Sequence, residues 1–167
     1  LERLAAGLGL DDHVTFLVYV PDVELPGVYA SADVFVLPTA ELEGFGLATL
    51  EALASGLPVV ATPVGGTVEV LSGVEGDPAI PAPVLVESAD AASLARGMAA
   101  WAEVPAAERA AAGRRCRRYV KRRYPWERTV DGLLSVYRGL TPGGAPRRGQ
   151  PRRATRGTAP PRPGRGE

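Results

Sequence analysis

The residues best placed to do chemistry lie in one run, Glu43-Gly-Phe-Gly-Leu-Ala-Thr-Leu-Glu51, where two carboxylates flank a glycine-rich turn that opens a helix. Gly44 and Gly46 admit close approach of a ligand to the main chain and permit unusual dihedrals. The amides of residues 45–48 (Phe45, Gly46 and Leu47 among them) are the unpaired donors of that helix's first turn, and the helix dipole adds partial positive charge there. Such an end binds phosphate without a basic side chain. Glu51 lies about five residues into the helix, roughly 7–8 Å along its axis, where its carboxylate can accept two hydrogen bonds from a ribose diol. Glu43, before the helix, can accept hydrogen bonds from the hydroxyls of a sugar attached to the phosphate. Carboxylates repel phosphate and must therefore sit at its flanks. The spacing provides this, in the order sugar, diphosphate, ribose. The plainer reading of the same residues is a solvated loop acid and an exposed helix acid.

The elements around this run set its position. Residues 1–8 carry leucines and alanines at helical spacing, and Gly9 stops the run. Residues 14–20, Val-Thr-Phe-Leu-Val-Tyr-Val, read as a buried strand ending at Pro21-Asp22. One or two helical turns over residues 24–31 precede a second strand over 33–38. A loop then leads into a helix over 46–55, capped by Gly56. A third strand at 58–62, the turn Pro63-Val-Gly-Gly, a short helix and a surface loop over 72–83 follow. Residues 84–87 read as a fourth strand, and Asp90 caps a helix to residue 102. Pro105 opens another helix, broken at Tyr124-Pro125, and an amphipathic helix over 126–140 carries Val130, Leu133, Leu134 and Tyr137 on one side. Short apolar strands alternating with helices predict an α/β fold, a doubly wound parallel sheet covered on both faces. Ligands of such sheets bind beyond the carboxyl ends of strands, which is where residues 43–51 fall.

Composition excludes several classes. The 167 residues hold 19 basic and 19 acidic side chains, but unevenly. Residues 1–142 carry 12 Lys/Arg against 18 Asp/Glu (12 − 18 = −6), and residues 143–167 carry seven Arg against Glu167 alone (7 − 1 = +6). One cysteine excludes an internal disulfide framework and any multi-thiolate metal site, and makes a reducing, cytoplasmic compartment the default. One histidine excludes a His-based metal cluster. No run approaches the roughly 20 apolar residues of a spanning helix. The first residue is Leu, inside a helical pattern, so the chain reads as a piece of a longer protein. Residues 1–140 are expected to form one Rossmann-like domain, incomplete at its start, and residues 141–167, rich in Arg, Pro and Gly, a disordered tail.

The run from Val14-Thr-Phe through Leu25-Pro26, with Tyr29-Ala-Ser-Ala-Asp-Val-Phe-Val-Leu-Pro, Glu43 to Thr62, and Val64-Gly-Gly-Thr-Val-Glu69, resembles the donor-binding C-terminal domain of retaining glycosyltransferases of family 4, which have the GT-B architecture. The resemblance covers about residues 1–140. It implies transfer of a hexose from a nucleotide-diphosphate sugar to an acceptor hydroxyl, with retention through front-face attack assisted by the departing phosphate. Glu43 matches the catalytic motif glutamate near the donor sugar. Glu51 matches the one that holds the ribose, and Gly44, Phe45, Gly46 and Leu47 match the main chain around sugar and diphosphate. No cofactor and no metal are implied, because amides and basic residues offset the leaving-group charge. The chain departs from the family pattern at Val18, where relatives usually have glycine. The Arg/Lys pair and the acceptor domain of the family lie upstream of Leu1. The alternative is a non-catalytic Rossmann-like interaction module with weak nucleotide-sugar binding.

Two further features carry both a functional and a bland reading. Cys116, among arginines, is a reactive thiol or a spectator, while His13, beside Asp12, reads as a solvated loop residue. Residues 114–123 hold seven cations, read either as a solvated face or as peripheral contact with an anionic membrane, the inner face of which suits a cytoplasmic enzyme. An acceptor glycan or a lipid-linked acceptor is the expected second substrate. Nucleic acid is not an expected partner.

Overall fold

The computed structural model describes residues 1–140; the expected disordered tail, 141–167, lies outside the described residues. Two compact units divide at Arg128 and Thr129.

In the first unit, α1 (Glu2–Gly7) is followed by α2 (Leu25–Ser31), β1 (Phe35–Leu37), α3 (Leu47–Ala54), β2 (Val59–Ala61), α4 (Gly66–Leu71), α5 (Ala91–Glu103) and α6 (Ala106–Arg123). β1 and β2 pair in parallel, with Phe35 opposite Val59 and Leu37 opposite Ala61. Ala61 also forms a parallel bridge to Leu85 on its other side. β2 is therefore central, and all three of its residues are buried, as a strand covered on both faces requires.

The core lies around β2. Leu53 of α3, Val70 and Leu71 of α4, Val84, and Trp101 of α5 are all buried. The Trp101 indole N–H donates to the Pro83 carbonyl at 2.8 Å, which satisfies the one polar atom of the largest core side chain. Gly97 lets α5 close onto the sheet: a Cβ there would stand 2.7 Å from Val86 and 2.9 Å from Val60. α6 meets the C-terminal end of α3 through Gly113, whose Cβ would fall 1.9 Å from the Gly56 carbonyl oxygen. Asp90 caps α5 as expected, accepting from the Ser93 amide at 2.8 Å.

Two expectations are corrected. Residues 14–20 form no strand, and Val18 is 94% exposed. A continuous apolar run becomes a buried strand only where ladder partners and covering faces exist, and β1 pairs with β2 rather than with this run. Residues 84–87 form one bridge instead of a strand, through Ala61 N–H to Val84 C=O and Val86 N–H to Ala61 C=O. The next donor in that register is residue 63, a proline without an N–H, and the Thr62 amide serves the other side, donating to Leu37 C=O in the β1–β2 ladder.

α7 (Trp126–Leu140) crosses into the second unit. It is amphipathic as predicted, and Val130, Leu133, Leu134 and Tyr137 are exposed.

Candidate functional site

The site is built where two glycine turns meet. After β1 the chain runs through Thr39 to Glu43 and enters α3 at Gly46, which sits in the left-handed region (φ 82°, ψ 42°) as the N-cap. After β2 the chain turns at Gly65 and enters α4. The turns pack backbone on backbone. A Cβ on Gly65 would lie 2.0 Å from the Glu43 carbonyl oxygen, and one on Gly66 would lie 2.3 Å from that of Gly44. The Gly66 amide donates to Glu43 C=O at 3.3 Å. Gly46 is needed for its dihedrals and because Thr67 Oγ1 would be 3.2 Å from any Cβ. Gly44 differs: nothing stands within 4 Å of a Cβ there, so the fold makes no demand for glycine at that position.

Glu43 reaches back to the helix. Its Oε1 accepts from the Gly46 amide at 3.1 Å and its Oε2 from the Thr39 hydroxyl at 3.4 Å. One amide expected to face phosphate is thus held by the chain's own carboxylate, which complements the helix dipole. The next three amides, of Leu47, Ala48 and Thr49, are the orphan donors of the first turn, since the helical ladder begins with Leu50 N–H donating to Gly46 C=O. The Thr67 hydroxyl beside Gly46 is buried and has no hydrogen-bond partner.

Phe45 is half exposed and meets the Tyr124 ring edge to face at 6.2 Å. Tyr124 in turn meets Tyr119 at 6.0 Å, and the Tyr119 hydroxyl donates to Val70 C=O in α4. This aromatic row ties the 43–46 turn to the end of α6. Sequence reasoning did not find it; the only signal was the tyrosines interleaved in a basic helix.

Glu51 projects from α3, exposed, and its Oε2 accepts from the Tyr29 hydroxyl at 3.1 Å. It lines a cleft of about 490 Å³ together with Asp22, Leu25, Pro26, Tyr29 and Ser55. Burial first, and then the Glu51 carboxylate, hold the Tyr29 hydroxyl above its ordinary pKa. Glu43 is not part of that lining. Each of the two acids therefore has its own internal donor, Glu43 in the Gly46 amide and the Thr39 hydroxyl and Glu51 in the Tyr29 hydroxyl. Tyr29 is the residue that sequence reading passed over here, although it stands inside a quoted motif.

The remaining candidates resolve simply. Cys116 is fully buried, and burial pushes its thiol up to about 11, the opposite of an activated cysteine. Of the seven cations in 114–123, Arg115 pairs with Asp77 at 2.7 Å and Arg123 lies over the Tyr124 ring. All seven are exposed, while Cys116, Tyr119 and Val120 between them are buried.

The chain is similar to known proteins. The chain is 44% identical over 138 residues to a D-inositol 3-phosphate glycosyltransferase of Geodermatophilus obscurus, covering 82% of this chain and 28% of that protein. It is 39% identical over 138 residues to the one of Mycolicibacterium smegmatis, covering 82% and 29%. Among solved structures, a sucrose-phosphate synthase from Thermosynechococcus elongatus superimposes with a TM-score of 0.70 at 30% identity, over 83% of this chain and 33% of that one. The chain thus spans less than a third of the length of the two curated relatives, and the α/β, GT-B-type fold read from its sequence is borne out. The family described as glycosyl transferases group 1 matches residues 1–103, the stretch that holds β1, β2, both glycine turns and both glutamates, and the chain belongs to it.

Proposed function

We propose that this chain is the donor-binding half of a retaining hexosyltransferase that uses a nucleotide-diphosphate sugar. The observation that carries the reading is the start of α3, where left-handed Gly46 presents the amides of Leu47, Ala48 and Thr49 between two carboxylates. In this reading those amides meet the diphosphate, Glu51 accepts from the ribose hydroxyls, and Glu43 accepts from hydroxyls of the donor hexose. The open space at Gly44 and the unpaired Thr67 hydroxyl favour it, because neither is explained by packing. Main-chain dipoles hold the leaving diphosphate in place, and basic residues outside the α3 start offset the rest of its charge, without a metal. The acceptor hydroxyl attacks the anomeric carbon from the face that the phosphate leaves. The carbon–oxygen bond to phosphate breaks, and the acceptor proton passes to the departing phosphate oxygen. The acceptor is a glycan or a lipid-linked hydroxyl compound.

Calorimetry with UDP-, GDP- and ADP-sugars tests this reading. Glu51→Ala is expected to weaken the tightest of them several-fold, and unchanged affinity would refute the assignment.

The exposed cations of α6 favour one addition to the same reading, peripheral attachment to an anionic leaflet. Arg114, Arg118 and Arg122 recur at intervals of four, a spacing that repels within the helix, and a negative surface relieves that repulsion. Salt-sensitive co-sedimentation with phosphatidylserine vesicles, absent with neutral ones, is the expected result.

A further inference from the structure

The hydrogen bond between the Tyr29 hydroxyl and Glu51 Oε2 has no counterpart elsewhere in the cleft, and its geometry bears on how Glu51 is presented. Glu51 stands exposed on α3, with three rotatable bonds between its carboxylate and the helix. Free in solvent, such a side chain occupies many rotamers, and ordering it opposes binding. Tyr29 is far more fixed. It lies on α2, its ring meets Phe35 of β1 edge to face at 5.8 Å, and it packs against the core. The tyrosine has two side-chain torsions, and its phenol can donate one proton, here to Oε2 at 3.1 Å.

We infer that Tyr29 is a positioning residue, which holds one carboxylate oxygen of Glu51 so that the other is presented to the ribose diol of the donor. The inference rests on the proposed donor-binding role of Glu51.

A phenol suits the task. It is neutral, so it leaves the negative charge of Glu51 intact for two hydroxyl donors. A lysine or arginine in its place would pair with that charge and compete with the ribose. Burial and the neighbouring carboxylate keep the phenol protonated, which maintains it as the donor. Since both Tyr29 and Glu51 line the cleft, the hydrogen bond lies at the wall that a bound ribose would touch.

The test is a double-mutant cycle in the full-length protein. Calorimetry compares UDP, GDP and ADP, and the tightest is carried forward with its 2′-deoxy counterpart. Tyr29→Phe keeps the ring and removes only the donor, so its melting temperature serves as the folding control. The expected loss of affinity is roughly threefold to tenfold, the range for one net hydrogen bond. The same substitution in a Glu51→Ala background is expected to have no effect, and its penalty is expected to shrink with the 2′-deoxy nucleotide. If Glu51→Ala weakens binding while Tyr29→Phe leaves it unchanged, the positioning role is wrong and the donor site stands. A Tyr29→Phe penalty of equal size with and without Glu51 marks a merely structural effect and overturns the inference. If Glu51→Ala changes nothing, or no nucleoside diphosphate binds, both readings fall.

Discussion

Gly66→Ala separates helix propensity from packing at the centre of the site. Gly66 opens α4 without a positive φ, and alanine is the better helix former by about 0.5–1 kcal/mol. On propensity alone the substitution stabilises. The surroundings oppose it. The new Cβ would stand 2.3 Å from Gly44 O, 2.7 Å from Phe45 Cα and 2.8 Å from Phe45 C, against 3.4 Å or more for ordinary contact. Every one of these atoms is backbone, so no rotamer change relieves the clash, and the 43–46 turn must move by about 1 Å relative to α4. Overpacking of this kind costs typically 1–3 kcal/mol, so packing wins by about 1–2 kcal/mol, equivalent to a melting temperature lower by roughly 3–8 °C. The movement also carries Glu43 and the Gly46 amide, which leads to a second expectation: nucleotide-sugar affinity falls by more than the stability change requires, even at temperatures where the variant is fully folded. The assay is a thermal melt followed by calorimetry well below the transition. Gly132→Ala is the control, because Gly132 lies within α7 and has nothing within 4 Å of a Cβ. An unchanged or raised melting temperature for Gly66→Ala, with donor affinity intact, would refute the claim that the two glycine turns hold each other in place.

Two further outcomes test the frame around the site. Trp101→Ala removes the largest buried side chain and orphans the Pro83 carbonyl; a loss of about 3–5 kcal/mol in urea denaturation is expected. Asp90 caps α5, and hydrogen bonds from the Ser88 hydroxyl and the Ser93 amide hold its carboxyl below the ordinary value of 3.8. A depressed folded pKa means that the stabilisation is present above 3.8 and is lost as pH falls through the folded value. Wild type is therefore expected to melt above Asp90→Ala from neutral pH down to about 4, and the gap to close on further acidification, as followed by circular dichroism.

How much of this was legible in the sequence varies with how local the cause is. Asp90 and the left-handed Gly56 were readable because caps and helix ends are set by one or two residues. The start of α3 was readable for the same reason, and so was the parallel pair, since residues 33–38 and 58–62 are short apolar runs around a helix. Residues 14–20 misled because a run of Val, Phe and Tyr reports only that a strand would suit them; whether partners are present is a long-range fact. At the site, both glutamates could be named from their spacing. Their internal donors could not, because Thr39 is four residues from Glu43 but Tyr29 is 22 from Glu51 and reaches it only through the folding of α2 against β1. The contact of Gly66 with the 43–46 turn was invisible for a related reason. A glycine pair at a helix start announces flexibility, whereas its use here is to let two turns approach within backbone contact.

Under the proposed function, the two acids say what the α3 start contributes to donor binding. Each carboxylate is oriented by a neutral donor, Glu43 by Gly46 N–H and Thr39 and Glu51 by Tyr29, and no Lys or Arg among the described residues takes part in the hydrogen bonds of either. Pre-orientation of this kind lowers the ordering cost of binding but adds no positive charge. A helix start offers the equivalent of about half a unit of positive charge, and part of it is already opposed by the Glu43 carboxylate. A diphosphate carries at least two negative charges, so the amides of Leu47, Ala48 and Thr49 fix its place without neutralising it. In the proposed reaction the phosphate gains charge as the sugar departs, which makes that imbalance greatest when catalysis most needs it met. In that proposed reaction, the cations that meet the charge come from residues other than those around α3, and these turns supply geometry and hydroxyl recognition.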